Sequence, residues 1–416
     1  LTSRISGFYH LTPLERLDKI SETVDLSDEE KTTLLDKGLS VQQADQMIEN
    51  VIGTFPIPLG IAVNFKVNGE DVFIPMATEE ASVVAAASNA AKLTYQTGGF
   101  TTSTTGSIMR GQIQIINVKN PYHTLAKIYE KKEDIIQLCN EQDQTLVALG
   151  GGAKDIEVFV LEKNKMVVVH VLVDTRDAMG ANAVNTMLEA VAPLIEEISK
   201  AEVVLRILSN LADKRIVRAR ATFENLFNNK KDEVERFLSA YKLAMIDPYR
   251  AATHNKGIMN GISAVALATG NDTRAIEAGA HAYAASSGVY RSLSHWELGD
   301  DGHIIGTIEL PLVVGIVGGA TQTHPVAKLA LKLMKIKSAE QLAGIIAATG
   351  LAQNFAALRA LATDGIQKGH MKLHARNMAL MAGAKMEQVD KVIQQAAEKE
   401  TFNFDTMKEI VESQQN

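Results

Sequence analysis

The chain has 416 residues, 46% hydrophobic and 22% charged, with a formal net charge of −7 at pH 7. That length predicts two or three domains; the composition is too apolar for disorder and too acidic for a phosphate-backbone binder, so no nucleic-acid partner is expected. A single cysteine, Cys139, excludes an intramolecular disulfide framework and a cysteine-rich zinc site, and fits a reducing cytoplasm.

Residues 1–20 are amphipathic and charged, without a signal-type apolar core. No run reaches the roughly 18 apolar residues of a membrane span, so a soluble, cytoplasmic protein is expected. Residues 11–50 read as short amphipathic helices, with start signals at Thr12-Pro13 and at Ser27-Asp28-Glu29-Glu30. Ile61 to Phe73 alternates around Asn68-Gly69 and predicts a hairpin, and Ser82 to Ser88 suits a helix. Gly98 to Ser107, rich in glycine, threonine and serine, reads as a loop or hinge.

Character changes after that hinge. Strands are predicted at Gln112–Val118, Asp155–Leu161, Met166–Val173 and Val203–Leu208, with helices at Leu125–Cys139 and Ala183–Ile198. This pattern predicts an α+β protein in which a small sandwich of ferredoxin-like type, residues 107–212, is inserted into a larger, mostly helical domain formed by 1–106 and 213–366. Helical patterns dominate from Asn225 to Ala285. Strands at Ser292–Leu298 and His303–Val317 flank the turn Asp300-Asp301-Gly302, helices follow at Val326–Met334 and Ala339–Leu361, and a charged helical tail begins at Lys368.

Familiar cofactor and nucleophile signatures are absent: there is no G-x-G-x-x-G, P-loop, G-x-S-x-G or H-E-x-x-H. Asp174 to Asn182 joins a strand to a helix through small residues; it reads either as a tight βα connection or as free N–H groups aimed at an anion such as a pyrophosphate. Gly318 to Pro325 repeats the arrangement. Glu79-Glu80 precedes a helix, where the dipole favours carboxylates whatever their role. Lys256 and Asn260 share a helix face at i,i+4. Asp272 reads first as an N-cap after the helix stop at Gly270. His370 and His374 are also i,i+4, but Met371 stands where a zinc protease has its glutamate, and no metal is expected.

These segments together resemble the class II 3-hydroxy-3-methylglutaryl-coenzyme A (HMG-CoA) reductases along nearly the whole chain. The resemblance is carried by Glu49-Asn-Val-Ile-Gly53, Glu79-Glu-Ala-Ser-Val-Val-Ala-Ala-Ala-Ser88, Asp177-Ala-Met-Gly-Ala-Asn182, Asp247-Pro-Tyr-Arg-Ala-Ala-Thr-His-Asn-Lys-Gly257, Gly270-Asn-Asp272, Gly318-Gly-Ala-Thr-Gln-Thr-His-Pro325, Leu351-Ala-Gln-Asn354 and Gly369-His-Met371, in this order. It departs at Ala81, where the pattern has proline. The resemblance implies four-electron reduction of HMG-CoA to mevalonate and coenzyme A by NADH or NADPH, in a homodimer or higher even oligomer. It implies Glu80, Lys256, Asp272 and His370 as the catalytic set, and substrate contacts at Ser82, Arg250, Thr253, Asn260, Gln353 and Asn354. Dinucleotide contacts fall at Asp143, Asp177, Met179, Gly180 and Asn182 on the inserted domain. Residues 367–416 become a mobile C-terminal flap.

The implied chemistry explains the residue types. Hydride addition to a thioester creates an oxyanion that Lys256 can stabilise, with Asp272 beside it to keep the ammonium charged. Protonated His370 can quench the departing thiolate, and neutral Glu80 can supply the proton for the second reduction. Asp143, at the position near the adenosine ribose, leans the preference to NADH, because a carboxylate repels a 2′-phosphate. Across a continuous helix Lys256 and Asp272 would lie about 24 Å apart at ~1.5 Å per residue. They meet only if the chain breaks between them or two subunits contribute.

Overall fold

The computed structural model describes residues 2–161, 163, 165–224, 231–363, 375–399 and 401–415. Reciprocal capping boxes, Thr12 with Glu15 and Ser27 with Glu30, start α1 (Pro13–Ser21) and α2 (Asp28–Thr32) at the two predicted signals. A third box, Ser40 with Gln43, opens α3 (Val41–Asp45). The predicted hairpin is β1 (Leu59–Val67) paired antiparallel with β2 (Glu70–Ala77), turning through Asn68 and Gly69 at φ 50° and 86°. Leu17 and Ile20 of α1 cluster with Val63 and Phe73 of the hairpin, anchoring the N-terminal segment. Next, α4 (Val83–Lys92) buries Val83, Ala87, Ala90 and Ala91.

The expected hinge at 98–107 is instead a strand, β3 (Phe100–Thr104). Its threonines are β-branched and suit a pleated surface, while buried Phe100 anchors one end. Flanking glycines and outward-facing hydroxyls gave it the composition of a loop.

The smaller unit follows the predicted order of elements. It comprises β4 (Ile108–Ile116), α5 (Pro121–Glu130), α6 (Lys132–Glu141), α7 (Gln144–Ala148), β5 (Gly152–Leu161), β6 (Met166–Asp174), α8 (Ala181–Ser199) and β7 (Glu202–Ser209). The helix expected over Leu125–Cys139 is two helices, because Lys131 leaves the helical region at φ −104° and ψ 17°. The four strands pair antiparallel in the order β5-β6-β4-β7. Ile113, Val169, Val171, Val184 and Leu188 share a core with Cys139, whose thiol burial pushes up to about 12. Such burial disfavours the reactive thiolate.

Strand β8 (Ile216–Phe223), which has no counterpart among the predicted elements, returns the chain to the larger sheet. It is followed by α9 (Lys231–Ile246), α10 (Pro248–Ala268), α11 (Thr273–Ala284), β9 (Ser294–Leu298) and β10 (Ile304–Pro311). The strand expected to run to Val317 stops at Pro311, which has no N–H for a further ladder bond. Residues 312–316 continue as an irregular strap. Then come α12 (Ala320–Thr323), α13 (Pro325–Leu333) and α14 (Ala339–Ala362). The larger sheet runs β2-β1-β3-β8-β10-β9. Among the described residues α14 alone has the length and apolarity of a membrane span, and it lies buried inside the core around that sheet. The C-terminal segment is helical over 375–381 (α15), then forms α16 (Val389–Glu398) and α17 (Phe404–Gln415), with a small core of its own around Val392, Met407 and Ile410.

Phe355 of α14 stacks on Phe223 of β8 with centroids 4.0 Å apart and planes at 8°, and touches Phe237 and Trp296 at 5.5 and 5.7 Å. Truncating a buried aromatic leaves a cavity as well as losing transfer energy. Phe355→Ala is expected to cost about 3–5 kcal/mol in denaturant unfolding. A cost under about 1 kcal/mol would remove this cluster as the joint between α14 and the sheet.

Candidate active site

A cavity of about 550 Å³ opens between the turn after β2, one face of α10 and the first turns of α11. The turn is tight: Glu80 N donates to Thr78 Oγ1 at 3.2 Å, and Ser82 enters α4 at φ 78°. It presents Glu80 to α10, where Lys256 and Asn260 share a face. Lys256 Nζ donates to Glu80 Oε2 at 2.8 Å, and Asn260 Nδ2 donates to Glu80 Oε1 at 3.4 Å. Residues 176 and 180 positions apart in sequence therefore meet on one carboxylate.

The chain does break between Lys256 and Asp272. α10 ends at Ala268, α11 starts at Thr273, and Lys256, Thr273 and Arg274 line the same cavity. Asp272 caps α11, accepting from Arg274 N at 3.0 Å and Ala275 N at 3.1 Å, as an N-cap should. Its carboxylate faces the Arg274 guanidinium at 3.4 Å. Within one chain the Lys256–Asp272 pair is not formed: Glu80 is the counterion of Lys256, and the α11 amides and Arg274 engage the Asp272 carboxylate.

Of the residues expected to contact substrate, Asn260 lines this cavity, and Ser82, Arg250, Thr253, Gln353 and Asn354 do not. Ser82 Oγ and Gln353 Oε1 are buried without a hydrogen-bond partner, which leaves both open to a ligand. Thr253 is exposed, and burial lowers the pKa of half-buried Arg250. Asn354 is committed inward: its Oδ1 accepts from Ser294 Oγ at 2.7 Å and Trp296 Nε1 at 2.8 Å, and its Nδ2 meets His254 Nε2 at 3.2 Å. His370 lies outside the described residues. The far wall holds groups the motif reading missed. Ser263 Oγ donates to Glu277 Oε1 at 2.7 Å, and His281 bridges Glu277 Oε2 at 2.9 Å to the Tyr290 hydroxyl at 2.8 Å. Burial works to raise the Glu277 pKa, but the bonds from His281 and Ser263 outweigh it and hold the carboxyl below its ordinary range. Glu277 and His281 are i,i+4 on one helix, a spacing legible in the sequence.

The turn from β6 to α8 lies on the smaller unit. Gly180 sits at φ 99°, and a Cβ there would fall 2.2 Å from Thr175 Cγ2, so the position takes no side chain. No side chain caps α8, which leaves the N–H groups of its first turn for an anion, with exposed Asn182 among them. These features fit the pyrophosphate of a dinucleotide. Asp177 Oδ1 instead accepts from Ala339 N at 2.7 Å at the start of α14, and Met179 gives its carbonyl to Arg215 at 3.3 Å. Asp143 caps α7 by accepting from Leu146 N at 2.8 Å. Among the described residues no group of three or more histidine, cysteine or acidic side chains is placed to hold a metal.

A model of the hydroxymethylglutaryl-coenzyme A reductase family matches residues 12–375. The chain belongs to that family. It is 55% identical over 414 residues to the 3-hydroxy-3-methylglutaryl-coenzyme A reductase of Archaeoglobus fulgidus, covering 99% of this chain and 95% of that one. A solved Streptococcus pneumoniae reductase is similar at 42% identity and a TM-score of 0.84, covering 98% of this chain and 99% of that one. A class II structure from the same organism, bound to NADPH in open conformations, has 42% identity and a TM-score of 0.82, covering 98% and 100%. Family membership makes the protein an oxidoreductase, and the mixed α+β fold is the family's.

Burial, with the Arg250 charge nearby, pushes the His254 imidazole down to about 3. His254 Nε2 meets Ser292 Oγ at 2.7 Å, Ser294 Oγ at 3.0 Å and Asn354 Nδ2 at 3.2 Å, while Nδ1 is buried without a hydrogen-bond partner. An unfolded histidine titrates near ~6.5, so between these values the unfolded state binds the extra proton. This stabilisation is complete above pH ~6.5 and falls as the pH drops, by about 1.4 kcal/mol per unit. The stability difference between the protein and His254→Gln should shrink at that rate from pH 6.5 to 4.5. A difference that does not change with pH would mean the imidazole titrates normally.

Proposed function

We propose that this protein reduces HMG-CoA to mevalonate and coenzyme A in two hydride transfers, consuming two reduced nicotinamide dinucleotides and two protons in a reversible reaction. The observation that carries this reading is the convergence of Lys256 and Asn260 on Glu80 within one cavity, at positions that match the family pattern. When bound on the α8 turn, the dinucleotide supplies the hydride. Lys256 then stabilises the oxyanion raised on the thioester carbon, a role that strengthens as water leaves the site. Collapse of the hemithioacetal breaks the C–S bond, and His370 gives the thiolate its proton. The aldehyde takes the second hydride, and Glu80, 2.8 Å from Lys256, is the group through which a proton reaches the alkoxide. Asp272 is the proposed group that keeps the Lys256 ammonium charged and oriented once its carboxylate leaves Arg274. Ser82, Arg250, Thr253, Gln353 and Asn354 are the proposed substrate contacts, and Asp143, Asp177, Met179, Gly180 and Asn182 the proposed dinucleotide contacts.

The proposed architecture has the larger domain in 1–106 and 213–366, the dinucleotide on an inserted domain of ferredoxin-like type, 107–212, and residues 367–416 as the flap that carries His370. The strand order β5-β6-β4-β7 supports the second assignment. We place the protein in the cytoplasm as a homodimer or higher even oligomer with sites at subunit boundaries. Exposed Ile52 and Phe55, in and just beyond the Glu49–Gly53 motif, support a covered surface there. The cofactor lean is to NADH. Lys154 spends its ammonium on Gly150 and Gly151 carbonyls and Arg176 donates to Gly150 O, which engages both cations.

The decisive experiment follows the absorbance of NADH or NADPH with HMG-CoA. Wild type should turn over, with the higher kcat/KM for NADH, whereas Lys256→Ala and Asp272→Ala should stay folded and lose about 10²–10³ or more in kcat. Near-normal turnover in either variant would take that residue out of the mechanism. A separate comparison isolates the leaving group. His370→Gln should lose about 10²–10⁴ on HMG-CoA and far less on free mevaldehyde, which expels no thiolate. Equal losses on the two substrates would contradict a thiolate-quenching role.

A further inference from the structure

Residues 312–316 run along the seam between the two largest hydrophobic cores. Leu312 and Val314 belong to the core of the six-stranded sheet, whereas Val313, between them, belongs to that of the four-stranded sheet. The strap is stitched to both sides by its backbone. Leu312 N donates to Arg215 O at 3.3 Å, and Ile316 N donates to Asp177 O at 2.9 Å on the β6–α8 turn. Gly315 N donates to Asn271 Oδ1 at 2.8 Å, in the loop that carries Asp272. Gly315 lies so close to the turn that a Cβ would fall 2.5 Å from Met179 N.

Two side chains complete the link. Arg215 is 5% exposed, and Asp174, Glu340 and Asp177 attract its charge. Its Nη1 donates to Thr175 Oγ1 at 3.0 Å, Ala178 O at 3.2 Å and Met179 O at 3.3 Å, while Nη2 reaches Val314 O at 2.6 Å. One planar guanidinium thus satisfies carbonyls of the turn and of the strap together. Asn271 is held at both ends of its amide, since Nδ2 donates to Thr269 Oγ1 at 3.0 Å while Oδ1 accepts from Gly315. That fixes the loop one residue before Asp272.

We propose that Arg215 and Asn271 are positioning residues that couple the Thr175–Gly180 turn to the Asp272 loop through the strap, so that dinucleotide and carboxylate are set as one unit. This rests on reading the turn as the dinucleotide site and Asp272 as catalytic. Hydride transfer needs donor and acceptor within a near-attack geometry, and two loops built on separate cores drift unless something ties them. Neither residue reaches the reacting atoms. Both act through the segments they hold.

The coupling is read by equilibrium titration of NADH and of NADPH by fluorescence without HMG-CoA, beside steady-state kcat. Asn271→Ala removes the acceptor of Gly315 N and leaves every bond within the turn in place. Coupling predicts roughly tenfold weaker dinucleotide binding together with a lower kcat, whereas a role confined to Asp272 lowers kcat alone. Asn271→Asp keeps the acceptor and should recover most of the affinity. Arg215→Met should weaken binding at least as much, and Arg215→Lys should recover part of it; if either fails the thermal-unfolding control, the Asn271 pair decides. Asn182→Ala, on the turn itself, separates the two levels of the argument. If it weakens binding and Asn271→Ala does not, the coupling is wrong. If neither weakens binding, the assignment of the turn as the dinucleotide site falls, and the coupling with it.

Discussion

A helix with no polar face has to be enclosed on every side, and α14 imposes that requirement on the larger half of this protein. Leu342, Ile346, Leu351 and Phe355 point in different directions around it, and all are buried. The six-stranded sheet, α4, α9 and α10 supply the enclosing surface. Close approach to α10 depends on small residues: a Cβ on Gly350 would meet Ile262 at 2.7 Å, and one on Gly261 would meet Thr349 O at 3.0 Å. The position of α10, and so of Lys256 and Asn260, follows from the burial of α14. Its N-terminus reaches the smaller unit as well, through the bond from Ala339 N to Asp177.

The charges of the site sit at the margin of that apolar body. Lys256 and Glu80 side chains are 61% and 36% exposed, and an ion pair so open to water contributes little to stability. The same pair in a closed, dry cavity interacts far more strongly, because the effective dielectric falls. The arrangement suits catalysis better than folding. Glu277 and His281 differ: with Ser263 and Tyr290 they form a satisfied network on the opposite wall that keeps its own geometry.

Local chemistry was readable wherever the cause was local. Capping boxes at Thr12 and Ser27, the Asn68-Gly69 turn and the N-cap role of Asp272 each involve residues a few positions apart, and each appears as expected. Strands β3 and β8 were hard to read for the converse reason. A threonine-rich stretch between glycines and an alternation of alanine with arginine become strands only because each finds the other as a neighbour in the sheet. The counterion of Lys256 also escaped the sequence reading. Charge type suggested Asp272, but the first amides of α11 and Arg274 engage that carboxylate, and Glu80 arrives from a distant turn.

By itself, the sequence determined the family, the residue types of the proposed catalytic set and most of the elements, because periodicity, caps and ordered motifs are properties of neighbouring residues. Tertiary structure alone decided which carboxylate meets Lys256, that Asp177 and Asn354 are bonded internally, and that Arg215 joins a turn of one core to a strap of the other. The physical reason is that a buried polar group must find its partner wherever packing leaves one. That partner is chosen by which segments the cores press together, across separations in sequence that no local pattern encodes.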